Sequence, residues 1–440
     1  MSAAGLVPVM RLARSAGLEA VAGELLSVPG DKGANPGGKV AALVAGMVAG
    51  ADSIDDMALL RHGAMRRIFD RPYAPSTLGS FLRAFRFGHV RQLDAVAARL
   101  LTGLAARTPL LAGIDDGLVT VDVDDTVIEV HGYTKQGTGF GYTRVRGLNA
   151  LLATASTDQA APVVLAQRLR KGSVNSTRGA QRLVQDALAT VRGLRGPTAT
   201  SRVLLRADSA FYGHATIGSA VKAGAQVSVT VRMDPKVKAA IAAIPADGWT
   251  AIAYTDAVFD ADSGRWISRA EVAEVPFTAF SSRKRADQVA GRLIVRRIPD
   301  LNPPAHPDQA ALFELWRFHA FFTTSDLDTV TADRTHRRHA IIEQVNADLK
   351  NSALAHLPSG KFAANSAWLV LAVMAFNLTR AAGTLAGHGL AKAVTGTIRR
   401  TLITVPARIA SSARRLALHL PTGWPWQSAW TALFTHTSGP

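Results

Sequence analysis

The chain has 440 residues, 48% of them apolar and 19% charged, which excludes a disordered polypeptide and leaves length for two or three domains. A formal net charge of +17 points to a polyanionic partner, nucleic acid ahead of a membrane surface. There is no cysteine, which excludes disulfides and thiolate-bound zinc and agrees with a cytoplasmic location.

Residues 1–110 read as helical. VMRLARSAGLEAVAGELLSV and GGKVAALVAGMVAGADSIDDMALL place apolar residues three and four apart, with a Gly/Pro cluster between them. In RPYAPSTLGSFLRAFRFGHVRQLDAVAARLL, Pro75 and Ser76 mark a helix start with Ser76 as the expected cap. Leu78, Phe81, Leu82 and Phe85 form its apolar stripe, leaving Arg83, Arg86 and Arg91 outside. Short helices with a basic face suit DNA docking of the helix-turn-helix kind, and equally suit a plain bundle with a solvated charged face.

Strands begin near residue 115. LVTVDVDDTVIEVHG, Leu118 to Gly132, is a Val-, Thr- and Ile-rich run bounded by glycine that reads as an inner strand. It carries Asp122, Asp124, Asp125 and Glu129, and buried acids need a cation to offset their desolvation. A Gly-rich basic loop with Lys135, Arg144 and Arg146 leads to strands expected at Leu148–Thr154 and Pro162–Leu169, then a helix over Thr177–Val191. RVLLRAD is a fourth strand ending at Asp208, and QVSVTVRM a fifth. Three strands, a helix, a strand, a helix and a strand make an α/β core of ribonuclease-H-like order over residues 111–233.

Residues 234–330 read as a β-rich insertion, with a hairpin turn at Asp262-Ser263-Gly264 and strands at RLIVRRI and LWRFHAFFTT. The core is expected to resume over 331–385. There DRTHRRHAIIEQVNADLKN reads as one helix of about five turns at 3.6 residues each. Ile341, Ile342, Val345 and Leu349 form one face, and His336, His339, Glu343 and Lys350 the other. The apolar run Phe362 to Leu378 contains Asn365, Ser366 and Asn377 and is short for a span, so a buried helix and no membrane partner are expected. Residues 386–440 form a basic tail punctuated by Arg399, Arg400, Arg414 and Arg415.

Two-metal phosphoryl transfer needs a few carboxylates from separate elements around hard cations such as magnesium, and Asp124, Asp208 and Glu343 are the candidates for both catalysis and metal binding. Asp122 and Asp124 face the same way in a regular strand. The same Asp122-Val123-Asp124 could instead be the metal-binding pair of a nucleotide-sugar glycosyltransferase.

DVDDTVIEVHG, LLRADSAFYG and HRRHAIIEQVNADLKN together resemble a DDE transposase of bacterial insertion sequences, over about residues 70–380. The nearest likeness is to the branch whose third acid lies in a Tyr–Arg–Glu–Lys helix signature. Glu343 and Lys350 match that signature in type and spacing; His336 and His339 stand at its Tyr and Arg positions, with Arg338 adjoining. The first acid of the branch precedes a Thr by two residues, which selects Asp124 with Thr126. The second ends a strand before a small residue, as Asp208-Ser209 does.

The resemblance implies two Mg2+ ions, replaceable by Mn2+. It implies double-stranded DNA as partner, both the inverted-repeat ends of the element and its target. It also implies a homodimer on DNA and a location on the bacterial nucleoid. Lys135, Arg144, Arg146, Arg338, His339, Lys350, Arg83 and Arg86 are the candidate DNA contacts. Some relatives flip a base onto an aromatic residue of the insertion, for which Trp249, Trp266 and Trp316 are the candidates. A catalytically inactive DNA-binding protein on the same scaffold is the alternative, and replacing Asp124 by Asn separates the two.

Overall fold

The computed structural model describes residues 1–67, 69, 72–132, 134–141, 143–252, 258–260, 265–267, 270–299, 316–412 and 415–438. Helices come first: α1 (Leu6–Ser15), α2 (Leu18–Leu25), α3 (Pro36–Ala49), α4 (Pro75–Arg83) and α5 (Phe87–Ala105). Leu78, Phe81, Leu82 and Phe85 are buried, so the apolar stripe of α4 is its inner face. Ser76 is not its cap. The helix starts at Pro75, with Ala74 at the N-cap and no side-chain cap bond. Proline's fixed φ suits the first helical position, and it has no N–H to satisfy there. Arg83 and Arg86 are exposed, whereas Arg91 is tied up by Asp94 at 2.7 Å and Asp186 at 3.1 Å.

Next come β1 (Leu118–Glu129), β2 (Gly139–Phe140), β3 (Arg146–Ser156), β4 (Val163–Lys171) and α6 (Ala180–Leu194). β1 and β4 each run antiparallel to β3, with Asp124 opposite Leu152. β2 pairs with the start of β3, so the Gly-rich loop folds back as a short hairpin. Gly147 is required there: a Cβ would stand 2.3 Å from the Ile128 carbonyl oxygen. α6 begins three residues later than expected. Asn175 Oδ1 takes the backbone N–H and hydroxyl of Thr177, and Gly179 turns left-handed (φ 82°) just before the helix.

β5 (Arg202–Ala207), α7 (His214–Lys222) and β6 (Gln226–Thr230) follow as a parallel strand–helix–strand, β5 pairing with β6. Three antiparallel strands, a helix and this unit complete the ribonuclease-H-like order of a mixed α/β fold. Then come α8 (Pro235–Ala242), β7 (Thr250–Ile252), β8 (Val258–Asp260), β9 (Arg265–Ile267), β10 (Ala270–Ala279), β11 (Val289–Pro299), β12 (Trp316–Thr323) and α9 (Thr329–Arg337). The expected turn at Asp262-Ser263-Gly264 lies outside the described residues, and the strands flanking it, β8 and β9, pair antiparallel. β12 pairs antiparallel with β6, and β11, β10 and β7 add on in turn, so these strands continue the β5–β6 ladder.

The remaining elements are α10 (Ile341–Lys350), α11 (Phe362–Ala386), α12 (Thr395–Ile398), β13 (Arg408–Ser412), β14 (Arg415–His419) and α13 (Gln427–Ser438). The chain forms two compact units, residues 1–201 with 341–440, and residues 202–340. The core of the first is α11, packed by α5, α3 and β4. Among the described residues it is the one helix long and apolar enough to cross a membrane, and it is 89% buried inside the chain. Its polar residues are matched: Asn377 bonds both the N–H and the carbonyl of Val164, at 2.9 and 2.8 Å, and Asn365 does the same for Ser359.

The single five-turn helix expected from Asp333 to Asn351 is instead α9, a tight turn over Arg338–Ala340, and α10. The Arg206 guanidinium, buried on β5, donates to the Thr335 carbonyl at 2.5 Å. In a continuous helix that carbonyl would serve the N–H four residues on.

Candidate active site

The three aspartates of β1 have different surroundings. Asp122 and Asp124 project to one face and Asp125 to the other, by strand alternation. Asp125 is buried and accepts from Arg170 Nη2 and Asn149 Nδ2, each at 2.5 Å, with Ser176 Oγ at 3.4 Å. Arg170 also donates to Asn149 Oδ1 and to the carbonyls of Ser176 and Arg178. A buried ion pair with its other hydrogen bonds made is a closed structural unit. Asp122 is fully buried, so the Asp122–Asp124 pair is not presented to a nucleotide sugar. Asp124 is half-buried, and its Oδ2 accepts from Nδ2 of Asn346 at 2.9 Å.

Asn346 belongs to α10, which packs on β1. Ile342, Val345 and Leu349 are the buried side of this helix, as their spacing predicts. Glu343 is exposed one turn before Asn346, and Lys350 lies one turn after it. Residues three and four apart are neighbours on a helix, so these three form one row running along β1. β1 and α10 thereby bring Asp124 and the Glu343 turn to one side of the first unit.

His336 and His339 do not belong to that row, contrary to the expected shared face, because the backbone breaks at Arg338–Ala340. The His336 ring stacks on Phe321 with centroids 4.0 Å apart, and its nitrogens bond Ser228 Oγ and Thr230 Oγ1 at 2.9 and 3.0 Å. Burial, reinforced by His339, Arg206 and Arg296, pushes its pKa down to about 3. It is a neutral structural residue of the second unit. Arg338 is exposed and His339 half-buried beside it.

Asp208 follows the last residue of β5, exposed, in the second unit. Its Oδ1 accepts from the Ala210 N–H at 2.9 Å, so it caps the turn Ser209–Phe211. Among the described residues no group of three or more His, Asp or Glu side chains is gathered closely enough to hold a metal ion. The donor chemistry nevertheless suits a hard divalent cation. Within the first unit Asp124 and Glu343 carry carboxylate oxygens, and Asn346 Oδ1 is a buried amide oxygen with no hydrogen-bond partner among the described residues.

Of the basic candidates, Lys135 donates to the Leu357 carbonyl and Arg146 to the Gly132 carbonyl, so both brace the β1–β3 loop. Arg146 also reaches Thr138 Oγ1 at 2.9 Å. Burial lowers the Lys135 pKa. Arg144 is exposed on a left-handed residue (φ 57°) between them. Lys350 lines a cleft of about 400 Å³ with residues 125–129, Thr143, Val145, Leu354 and Ala355. Arg399 is half-buried, its pKa lowered by desolvation and held up by Asp348 and Asp52; Arg400 is exposed and Arg414 lies outside the described residues. Trp249 and Trp316 clasp the Arg297 guanidinium at 4.2 and 4.4 Å, and Arg297 pairs with Glu271. Their faces are thus already stacked, whereas Trp266 stands on β9 opposite Phe259.

Sequence reading passed over Asn346. The signal available was an amide at a position of α10 between two apolar residues of its buried side, Val345 and Leu349. The family model described as transposase DDE domain, group 1, matches residues 1–438. No curated protein matches the chain.

Proposed function

The chain belongs to the transposase DDE domain group 1 family, and from that premise we propose that it is the transposase of a bacterial insertion sequence of the Tyr–Arg–Glu–Lys branch. Its partner is DNA. In this reading it cuts the inverted-repeat ends of its element and joins the freed 3′-hydroxyls to target DNA, as a homodimer on the nucleoid. Asp124, Asp208 and Glu343 are the catalytic acids and would hold two Mg2+ ions, with Mn2+ as a substitute. When bound, such ions supply activation of the attacking oxygen and stabilisation of the leaving one.

The observation that supports this reading most is the division of labour on β1. Asp125 is committed to Arg170, while Asp124 is tied through Asn346 to the helix that bears Glu343. Asp124 stays half-buried and held in place by that contact. Lys350, one turn beyond Asn346 and facing the cleft, would grip a phosphate. Arg83 and Arg86 on the N-terminal bundle, Arg144 with Lys135 and Arg146 on the β1–β3 loop, and Arg338 with His339 would neutralise further phosphates. Residues 1–110 would then dock DNA, and the strands of 234–330 would lie along the path of the element end.

Excision of a marked mini-element, bearing the inverted repeats that flank the reading frame, tests the assignment. Asp124→Asn, Asp208→Asn and Glu343→Gln should each reduce excision to background while DNA binding persists. Excision by Asp124→Asn at the wild-type level would make the catalytic assignment wrong, whereas no excision by the wild-type chain would favour the inactive DNA-binding scaffold.

A further inference from the structure

Asn346 is 5% exposed, and of its two polar ends only the nitrogen has a partner, Asp124 Oδ2 across 222 residues of chain. The orientation of the amide is forced. Turned over, it would set an amide oxygen against a carboxylate oxygen, two acceptors with no proton between them. Oδ1 is therefore fixed in the interior without a donor among the described residues. Buried carbonyl oxygens are rarely left in this condition, and an apolar side chain here would extend the inner face formed by Val345 and Leu349. The polar residue needs a reason beyond packing. Its position supplies one, since it stands beside Asp124 and one turn from Glu343.

We propose that Asn346 is a positioning residue of the cation site, an inference that rests on the catalytic reading of Asp124. Its N–H orients the Asp124 carboxylate, and its unpartnered Oδ1 would accept from the hydration of a divalent ion held by that carboxylate. The amide already spans to Asp124 through its nitrogen. Partners of this kind commonly set ligand orientation and metal affinity.

Titrating the full chain with Mn2+, followed by loss of the free-ion paramagnetic signal, tests this together with thermal unfolding in the presence and absence of Mn2+. Asn346→Leu should weaken Mn2+ binding by about 10-fold or more. Its metal-free melting temperature should be no lower than wild type, because the stranded oxygen is gone. Asn346→Asp keeps the shape and places a second carboxylate beside Asp124. It should bind Mn2+ more tightly than wild type, with a larger metal-induced rise in melting temperature, and it carries the test alone if the leucine variant does not fold. A purely structural tie gives the reverse pattern, lower metal-free stability with unchanged Mn2+ affinity in both variants, and that result overturns the proposal. Asp124→Asn separates the two levels. If it binds Mn2+ like wild type, the catalytic reading itself fails. If it loses Mn2+ while both Asn346 variants bind normally, only the role of Asn346 falls.

Discussion

Replacing Arg170 by methionine removes one partner of the buried pair that distinguishes Asp125 from Asp124. The two charged groups meet at 2.5 Å with 6% and 5% of their side chains exposed. Burial lowers the Arg170 pKa and the Asp125 carboxylate raises it again, so each charge is tolerated because of the other. Removing one member of such a pair costs about 3–5 kcal/mol, chiefly the penalty of the charge left behind. The carbonyls of Ser176 and Arg178, which accept from Arg170 at 2.7 and 2.8 Å, lose their donor as well. Each would add roughly 1 kcal/mol. At about 2–4 °C per kcal/mol for a unit of this size, the melting transition should fall by on the order of 10 °C. Scanning calorimetry at neutral pH measures it. Adding Asp125→Leu should recover most of the loss, since an apolar pair of similar volume is close to neutral. If the single variant melts with wild type, or the double variant is no better than the single, the pair does not hold this face of β1. A double variant that folds, binds DNA and no longer cleaves it would count against the assignment of Asp125 to a purely structural role.

Three further outcomes follow from particular contacts. Asn377→Leu strips Val164 of both its donor and its acceptor in the interior, at about 1–3 kcal/mol for each group left unsatisfied; a lower melting temperature checks it, and wild-type stability would refute it. Burial raises the Asp94 carboxyl to about 6, against the lowering effects of Arg91 and the bond from Gln167. A folded pKa above the unfolded one means that the native state holds the proton more tightly. The contribution to stability is complete below about pH 4 and is lost as pH climbs through 6, at most about 3 kcal/mol. Asp94→Asn should flatten that part of the stability profile, measured by thermal unfolding across the same range, and an unchanged slope counts against it. Lys350→Ala should leave the melting temperature alone, because the side chain is exposed. It should lower the slope of log affinity for DNA against log salt by about 0.9, and an unaltered slope would remove Lys350 from the phosphate contacts.

Alternation and spacing of apolar residues were enough to locate β1, β3, β4, β5, β6 and the buried helix α11, because those patterns report which side of an element avoids water and need no distant partner. The three acidic motifs likewise identify the family from residue type and spacing. What stayed hidden depends on residues remote along the chain. Asp125 is set apart by its buried pairing with Arg170, 45 positions later, on the opposite face of the strand. The expected long helix is two helices, and at the break Arg206, 129 positions earlier, donates to the Thr335 carbonyl. Trp249 and Trp316 both stack on the Arg297 guanidinium, a partner remote from each along the chain. A linear pattern records the preference of each residue for water or interior. Which polar group satisfies which other one is settled by packing, since hydrogen bonds and ion pairs act over a few ångströms of space and are indifferent to separation along the polypeptide.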